Sequence, residues 1–383
     1  MEAVSETAPG RMIMEWQSLL KRNAADLKTP ALVIDLDAFE RNIRKMADHC
    51  KASGISLRPH AKTHKCAEIA KRQIAAGAIG QCCASLDEAE MLVGAGVASI
   101  LVTSPLVAEV SIRQLLALSA ACPGLMAVVD NAQMVDRLAQ AAFASSQTLK
   151  LLVDIDIGHH RTGIAPGKPA CAMTSAIEKS SNLEFMGIQG YAGHLMHLAD
   201  RAERQPRSAA ALEALRLTRD QLSGMGIAPR IITGGGTGSF DIDPAERVLT
   251  ELQAGSYIFM DRQYNDVWTD GPPFETSLFV LTRVVSANQP GMVTTDAGLK
   301  AFSTDADAPL ISFGPAAGAA YSFFGDEYGR VTLPENGMMR LGDGVACVTP
   351  HCDPTVNLYG HYLVVRGGEL VDRWPIASGK HWT

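Results

Sequence analysis

The most constraining feature of this chain is the serial alternation of short β-branched runs with helical patterns from about residue 31 to residue 260. Nine runs have the length and content of strands: Ala31–Leu36, Ile55–His60, Ile79–Ala84, Ile100–Ser104, Met126–Asp130, Leu151–Asp156, Met186–Tyr191, Arg230–Gly234 and Leu252–Phe259. They are continuously apolar rather than alternating, as parallel strands covered on both faces must be. Helical patterns fill most of the gaps, at 36–54, 65–77, 86–96, 131–145 and 201–226, and several stop at a glycine. Ser85 and Glu88 have the spacing of a capping box. This series predicts an α/β fold, either a (β/α)8 TIM-type barrel or an open doubly wound sheet. No GxGxxG follows the first strand, which disfavours a dinucleotide-binding sheet. Nine runs compete for eight barrel places, and periodicity does not say which is surplus.

Past residue 270 the pattern changes. Ser277–Val285, Gly291–Asp296, Arg330–Leu333, Val345–Val348 and Leu358–Val365 are short alternating runs separated by Gly, Pro and Asn, the signature of an antiparallel β domain. The expected organisation is a barrel over 27–265 followed by a β domain over 266–383, with 1–26 packed on the latter.

Composition narrows the partners. The 383 residues carry a net charge of −7, with 47% hydrophobic and 20% charged residues. An acidic balance argues against nucleic acid or an anionic membrane as the partner. Eight cysteines occur without a CxxC pair, so neither a zinc ribbon nor a redox pair is indicated. Most of them read as small apolar core residues in a reducing compartment. No apolar run reaches the ~20 residues of a membrane span. The first 29 residues lack a signal-peptide core, and the expected location is the cytoplasm.

Five segments carry candidate chemistry. Arg58-Pro59-His60-Ala61-Lys62-Thr63-His64 falls at the end of a strand, where barrels place reactive groups. Lys62 beside Arg58, His60 and His64 reads either as a loop lysine or as an amine whose pKa is depressed by cationic neighbours, ready for Schiff-base chemistry. Asp154-Ile155-Asp156-Ile157-Gly158-His159-His160-Arg161-Thr162-Gly163 presents Arg161 at the barrel mouth, unless that arginine merely pairs with Asp154 or Asp156. Tyr191-Ala192-Gly193-His194 ends another strand with an aromatic able to wall a flat ring. Thr233-Gly234-Gly235-Gly236-Thr237-Gly238-Ser239 can turn backbone N–H groups onto a phosphate, and it lacks the Lys-Ser/Thr ending of an ATP loop. Gly255-Ser256-Tyr257 can complete that cup. Thr349-Pro350-His351-Cys352-Asp353-Pro354, taken as extended, would point His351 and Asp353 to one face and Cys352 to the other, an open two-ligand site for a divalent ion.

Together these segments resemble the fold-type III pyridoxal-phosphate (PLP) enzymes, the alanine racemase-like barrels, and within them the D-threonine aldolase, 3-hydroxy-D-aspartate aldolase and D-serine dehydratase branch. The resemblance runs from about Thr29 to the C-terminus, with Thr29-Pro30-Ala31 opening the barrel. It implies that Lys62 holds PLP and that Arg161 faces the pyridine nitrogen. It further implies that Gly235, Gly236 and Thr237 with Ser256 and Tyr257 hold the phosphate. His351 and Asp353 would bind Mn²⁺, Mg²⁺ or a similar ion. His-x-Asp resembles the aldolases, whereas His-x-Cys resembles the D-serine dehydratase. The implied activity is a carbon–carbon lyase that cleaves D-β-hydroxy amino acids to glycine and an aldehyde or glyoxylate, with His64 or His194 as base, in a homodimer. A dehydratase releasing ammonia and a keto acid is the alternative. A simple racemase ranks below both, and a non-enzymatic PLP carrier would lack the β domain.

Overall fold

Eight of the nine predicted runs are barrel strands, and the surplus one is the first in the chain. The computed structural model describes residues 27–268, 271–313 and 318–377, so the expected packing of 1–26 lies outside the described residues. The chain divides into two units: Ile43–Tyr257 form one, and the described residues up to Asn42 and from Ile258 onward form the other. The division differs from the expected 27–265 and 266–383 because β1 (Ala31–Asp35) lies in the second unit's sheet. There it pairs antiparallel with β10 (Leu278–Ser286) and parallel with β16 (His361–Arg366). Thr29-Pro30-Ala31 therefore does not open the barrel. The physical reason is that Ala31, Leu32, Val33 and Ile34 are buried on both faces. A central strand of any well-covered sheet reads like a barrel strand.

The barrel unit contains β2 (Ser56–Leu57), β3 (Gln81–Cys83), β4 (Ile100–Val102), β5 (Leu125–Val129), β6 (Leu149–Asp154), β7 (Leu183–Gly190), β8 (Ile231–Gly234) and β9 (Glu251–Leu252). They form one parallel sheet in the order β2-β9-β8-β7-β6-β5-β4-β3. An isolated parallel bridge between His60 and Cys82 joins the two ends, with Cys82 N–H donating to Pro59 O at 2.8 Å. Cys82, Leu101, Met126, Val128, Leu152 and Ile231 pack as a core cluster. Helices follow the predicted patterns at Leu36–Ser53, Ala67–Ala75, Leu86–Gly94, Ala132–Ala144 and Arg201–Gly224. Two more, Glu109–Ala121 and Lys168–Glu178, were not evident in the periodicity.

The second unit is a nine-stranded sheet. Besides β1, β10 and β16 it contains β11 (Met292–Thr295), β12 (Leu310–Phe313), β13 (Ala320–Phe323), β14 (Gly329–Thr332), β15 (Gly344–Val348) and β17 (Glu369–Pro375). The main path runs β13-β14-β11-β10-β1-β16-β17, with β15 pairing to β10 and β12. Every pairing except β1–β16 is antiparallel. Val33, Phe279, Leu281, Phe313, Val348 and Leu363 anchor its core. All eight cysteines are free and buried, as expected. Among the described residues no helix is long and apolar enough to cross a membrane.

Candidate active site

Lys62 sits in a single 3-10 turn, Ala61–Thr63, just beyond the C-terminal end of β2. Its environment differs from the cationic one that the sequence suggested. Arg58 is ion-paired to Glu251 by two 2.8 Å hydrogen bonds from Nε and Nη2, and Nη1 donates to Ser99 Oγ at 2.7 Å. Thr103 Oγ1 donates to Cys83 O, so its oxygen accepts from His60 Nε2, 3.0 Å away. His60 Nδ1 accepts the Lys62 backbone N–H at 3.3 Å. A neutral imidazole satisfies both bonds, so His60 orients the turn rather than charging it. His64 is fully buried, and its Nδ1 accepts from Cys66 N–H at 3.0 Å. Gly255 faces the same turn: a Cβ there would lie 2.7 Å from Thr63 Oγ1 and 2.9 Å from His60 O.

A polar floor that the sequence reading missed links the strand ends. Gln189 Nε2 donates to Asp154 Oδ1 at 3.0 Å and to Thr103 O at 3.3 Å. Gln253 Nε2 donates to Gln189 Oε1 at 3.1 Å and to Thr233 Oγ1 at 3.0 Å. Asp154 also accepts from Thr162 Oγ1 at 2.8 Å, and burial raises its pKa to about 6. All these groups sit at or beyond the C-terminal ends of their strands. The signal was available, since a glutamine ending an apolar strand run must find partners when buried.

Above this floor lies a small depression lined by Asp154, Asp156, His159, Arg161, Gln189 and Tyr191. Asp156 accepts from Gly158 N–H, His160 N–H and His160 Nδ1 at 2.7–3.0 Å. With Asp154 and Asp156 bound elsewhere, neither forms an ion pair with Arg161 among the described residues. The guanidinium instead lies over the Tyr191 ring, 5.4 Å from its centroid. His194 stacks on His159, with centroids 5.4 Å apart and planes 14° apart. Partial desolvation, then the positive charge of Arg207, lowers the His194 pKa. An exposed, neutral imidazole at this mouth is able to take a proton.

The glycine-rich loop is built for close approach. Gly235 has φ +69°, and a Cβ there would meet Asp243 Oδ2 at 2.6 Å. A Cβ on Gly236 would meet Met196 Sδ at 2.7 Å and Tyr191 Cε2 at 3.5 Å, which places the loop beside Tyr191. Ser239 and Ser208 each donate to Asp243 at 2.5 Å beneath it. Thr237 Oγ1 is buried without a hydrogen-bond partner. A buried hydroxyl in that state fits an acceptor-rich group such as a phosphate. Tyr257 departs from the expected cup: its hydroxyl accepts from Gln73 Nε2 at 3.1 Å. Its ring lines a separate cavity of about 420 Å³ by the starts of β2 and β3. That cavity is larger than the mouth depression but lies at the end of the barrel away from Lys62, so it does not carry the chemistry. Ser256, 8% exposed, and the Tyr257 backbone remain for the cup.

In the sheet unit, His351 is extended (φ −141°, ψ 126°), but Cys352–Val356 form a short helix. The period-two argument for His351 and Asp353 therefore fails. Pro354 is compatible with that helix, since it sits in the first turn, where its missing N–H goes unused. Cys352 is buried at 0% exposure, and Asp353 is half-buried. His351 Nδ1 lies 2.7 Å from Asp305 Oδ2. An imidazole held at one nitrogen by a carboxylate fits a metal ligand, which is commonly oriented that way. No cluster of three or more ligating side chains converges among the described residues.

Residues 34–263 match the family model for the alanine racemase N-terminal domain, and residues 277–365 match one for a serine dehydratase domain. The chain is 38% identical over 356 residues to a D-threonine aldolase of an Arthrobacter species, covering 92% of this chain and 93% of that one. It is 35% identical over 364 residues to the 3-hydroxy-D-aspartate aldolase of Paracoccus denitrificans (strain Pd 1222), covering 93% of each. The crystal structure of D-threonine aldolase from Filomicrobium marinum matches with a TM-score of 0.88 at 37% identity, over 92% of this chain and 96% of that one. A family model spanning more than half the residues, with such relatives along nearly the whole length, means that the chain belongs to the alanine racemase-like barrel family, on the branch of the D-threonine and 3-hydroxy-D-aspartate aldolases.

Proposed function

We propose that this protein is a PLP- and metal-assisted aldolase that cleaves D-β-hydroxy amino acids, D-threonine or 3-hydroxy-D-aspartate, to glycine and an aldehyde or glyoxylate. The observation that carries this reading is Arg161 lying over the Tyr191 ring beside the glycine-rich loop, with the Lys62 turn linked through His60 and Thr103 to the polar floor. Bound PLP supplies an electron sink for the pair released when Cα–Cβ breaks. Lys62 is the residue that holds it. Thr237, with Gly235, Gly236 and Ser256, would hold its phosphate, and Arg161 would face its pyridine nitrogen and disfavour a second positive charge there. His194, kept neutral by its lowered pKa, accepts the proton of the β-hydroxyl. His351 and Asp353 would hold a divalent ion, Mn²⁺ or Mg²⁺, which would supply Lewis acidity.

The His-x-Asp pair supports cleavage over elimination, because a carboxylate favours harder, more oxophilic ions than a thiolate does. Incubation with D-threonine, L-threonine, D-serine and 3-hydroxy-D-aspartate, with and without chelator, tests the reading. Glycine from D-threonine and 3-hydroxy-D-aspartate only, and only with metal, is expected. Ammonia and a keto acid without glycine would make it a dehydratase. The reading includes a homodimer, which light scattering tests. It also includes a cytoplasmic location, supported by the free, buried cysteines.

A further inference from the structure

We propose that Asp305 is a positioning residue for His351, fixing its tautomer so that Nε2 carries the lone pair offered to the cation. The inference rests on the reading of His351 and Asp353 as the metal pair. Asp305 Oδ2 lies 2.7 Å from His351 Nδ1. An ionised carboxylate only accepts, so the single N–H of a neutral imidazole is drawn to Nδ1 and the lone pair is left on Nε2.

The segment that presents Asp305 is held on both sides. Ser303, 4% exposed, accepts the His351 N–H at 3.0 Å and donates back to His351 O at 3.1 Å. The Ser303 N–H donates to Thr355 Oγ1 at 3.0 Å, and that hydroxyl donates to His351 O at 2.7 Å. Beyond Asp305, Arg262 pairs with Asp307 at 3.3 Å and donates to Ala308 O at 2.5 Å. The Asp305 side chain itself is half exposed. A contact so open to water adds little to stability. A buried serine clamp and an arginine around such a weak contact point to orientation as its use. Asp305 is not a third ligand in this geometry. Its Oδ2 accepts the hydrogen bond from Nδ1–H, and no three ligating side chains converge among the described residues.

Two measurements on the full-length protein test this. The first is nitrogen-15 NMR of the histidine rings in metal-free protein, with His351→Ala to assign the signal. Wild type should show His351 with the proton on Nδ1, and Asp305→Ala should shift that proton toward Nε2. The second is Mn²⁺ titration read by electron paramagnetic resonance of the free ion. Asp305→Ala should weaken binding about 10–100-fold. Asp305→Asn, whose amide oxygen still accepts from Nδ1, should fall between it and wild type. Circular dichroism melts in chelator should leave both variants within a few degrees of wild type. If Asp305→Ala fails to fold, Asp305→Asn alone decides, through its intermediate affinity. An Nε2–H tautomer in wild type, or Mn²⁺ binding within twofold after Asp305→Ala, overturns the proposal. So does loss as complete as that of Asp353→Ala, which would make Asp305 a ligand. Retention of Mn²⁺ by both His351→Ala and Asp353→Ala would instead sink the metal-pair reading, while the tautomer result would still report on Asp305.

Discussion

Glu251 holds Arg58 through both carboxylate oxygens, at 2.8 Å each, with both side chains almost wholly buried in the barrel unit. The pair joins β9 to the residue after β2, directly before the Lys62 turn. Removing one partner strands a buried charge, at a cost of roughly 3–5 kcal/mol. Glu251→Gln should therefore lower stability by about that amount in urea unfolding. Arg58→Met combined with Glu251→Leu should recover much of the loss, because the stranded charge is then absent. Equal destabilisation of the single and double variants would contradict this account.

Lys65 and Lys300 serve as controls for the assignment of Lys62. Lys65 Nζ lies 3.8 Å from Glu88, and Lys300 Nζ lies 2.5 Å from Glu327. A lysine held as an ammonium beside a carboxylate is a poor nucleophile. Borohydride reduction of the holoprotein should place the cofactor label on the peptide containing Lys62, read by mass spectrometry. Lys62→Ala should lose it and Lys65→Ala keep it. Label on Lys65 in wild type would reject the assignment.

Burial raises the Asp243 pKa to about 6, against the donated bonds of Ser208 and Ser239, which act the other way. The unfolded carboxyl titrates near 3.9. Between those values the folded state binds more protons, so stability falls as pH rises from about 4 to 6, by roughly 3 kcal/mol at most. Asp154 shifts in the same direction, also to about 6. Asp243→Asn should flatten the melting temperature across that window without abolishing it. An unchanged slope would show that the Asp243 carboxyl does not carry the effect.

How much of this was legible depended on what each residue type can do alone. The barrel strands announced themselves because burial on both faces forces continuous apolar runs, and β1 was misassigned for the same reason. Glu109–Ala121 escaped because exposed Val110 adds an apolar residue off the face of Ile112, Leu115 and Leu118. Lys168–Glu178 escaped because small residues blur its stripe. The capping box was readable in part: Ser85 Oγ accepts the Glu88 N–H at 3.2 Å, while Glu88 turns to the Ala84 N–H at 2.7 Å. Lys62, Arg161 and the glycine loop stood out by position in the strand–helix series. Their charge environment did not, because the partner of Arg58 is 193 residues away. Asp305 was invisible for the same reason, 46 residues from His351.

Thr237 offers the sharpest separation between fold and function. Its hydroxyl is buried and lacks a hydrogen-bond partner in the protein, a state that costs about 1–3 kcal/mol relative to a satisfied or absent group. Thr237→Val keeps the shape and removes the hydroxyl, so the cofactor-free protein should melt at the same temperature or higher. If that hydroxyl donates to the phosphate, the variant should bind PLP at least tenfold more weakly, because a bond to a charged acceptor contributes roughly 1.5–3 kcal/mol. Binding of unphosphorylated pyridoxal should change far less. The wild-type preference for the phosphorylated form should therefore shrink in the variant, measured by absorbance titration of both ligands. Equal weakening for the two ligands would place Thr237 away from the phosphate. A lower melting temperature in the cofactor-free variant would show that the hydroxyl was serving the fold instead.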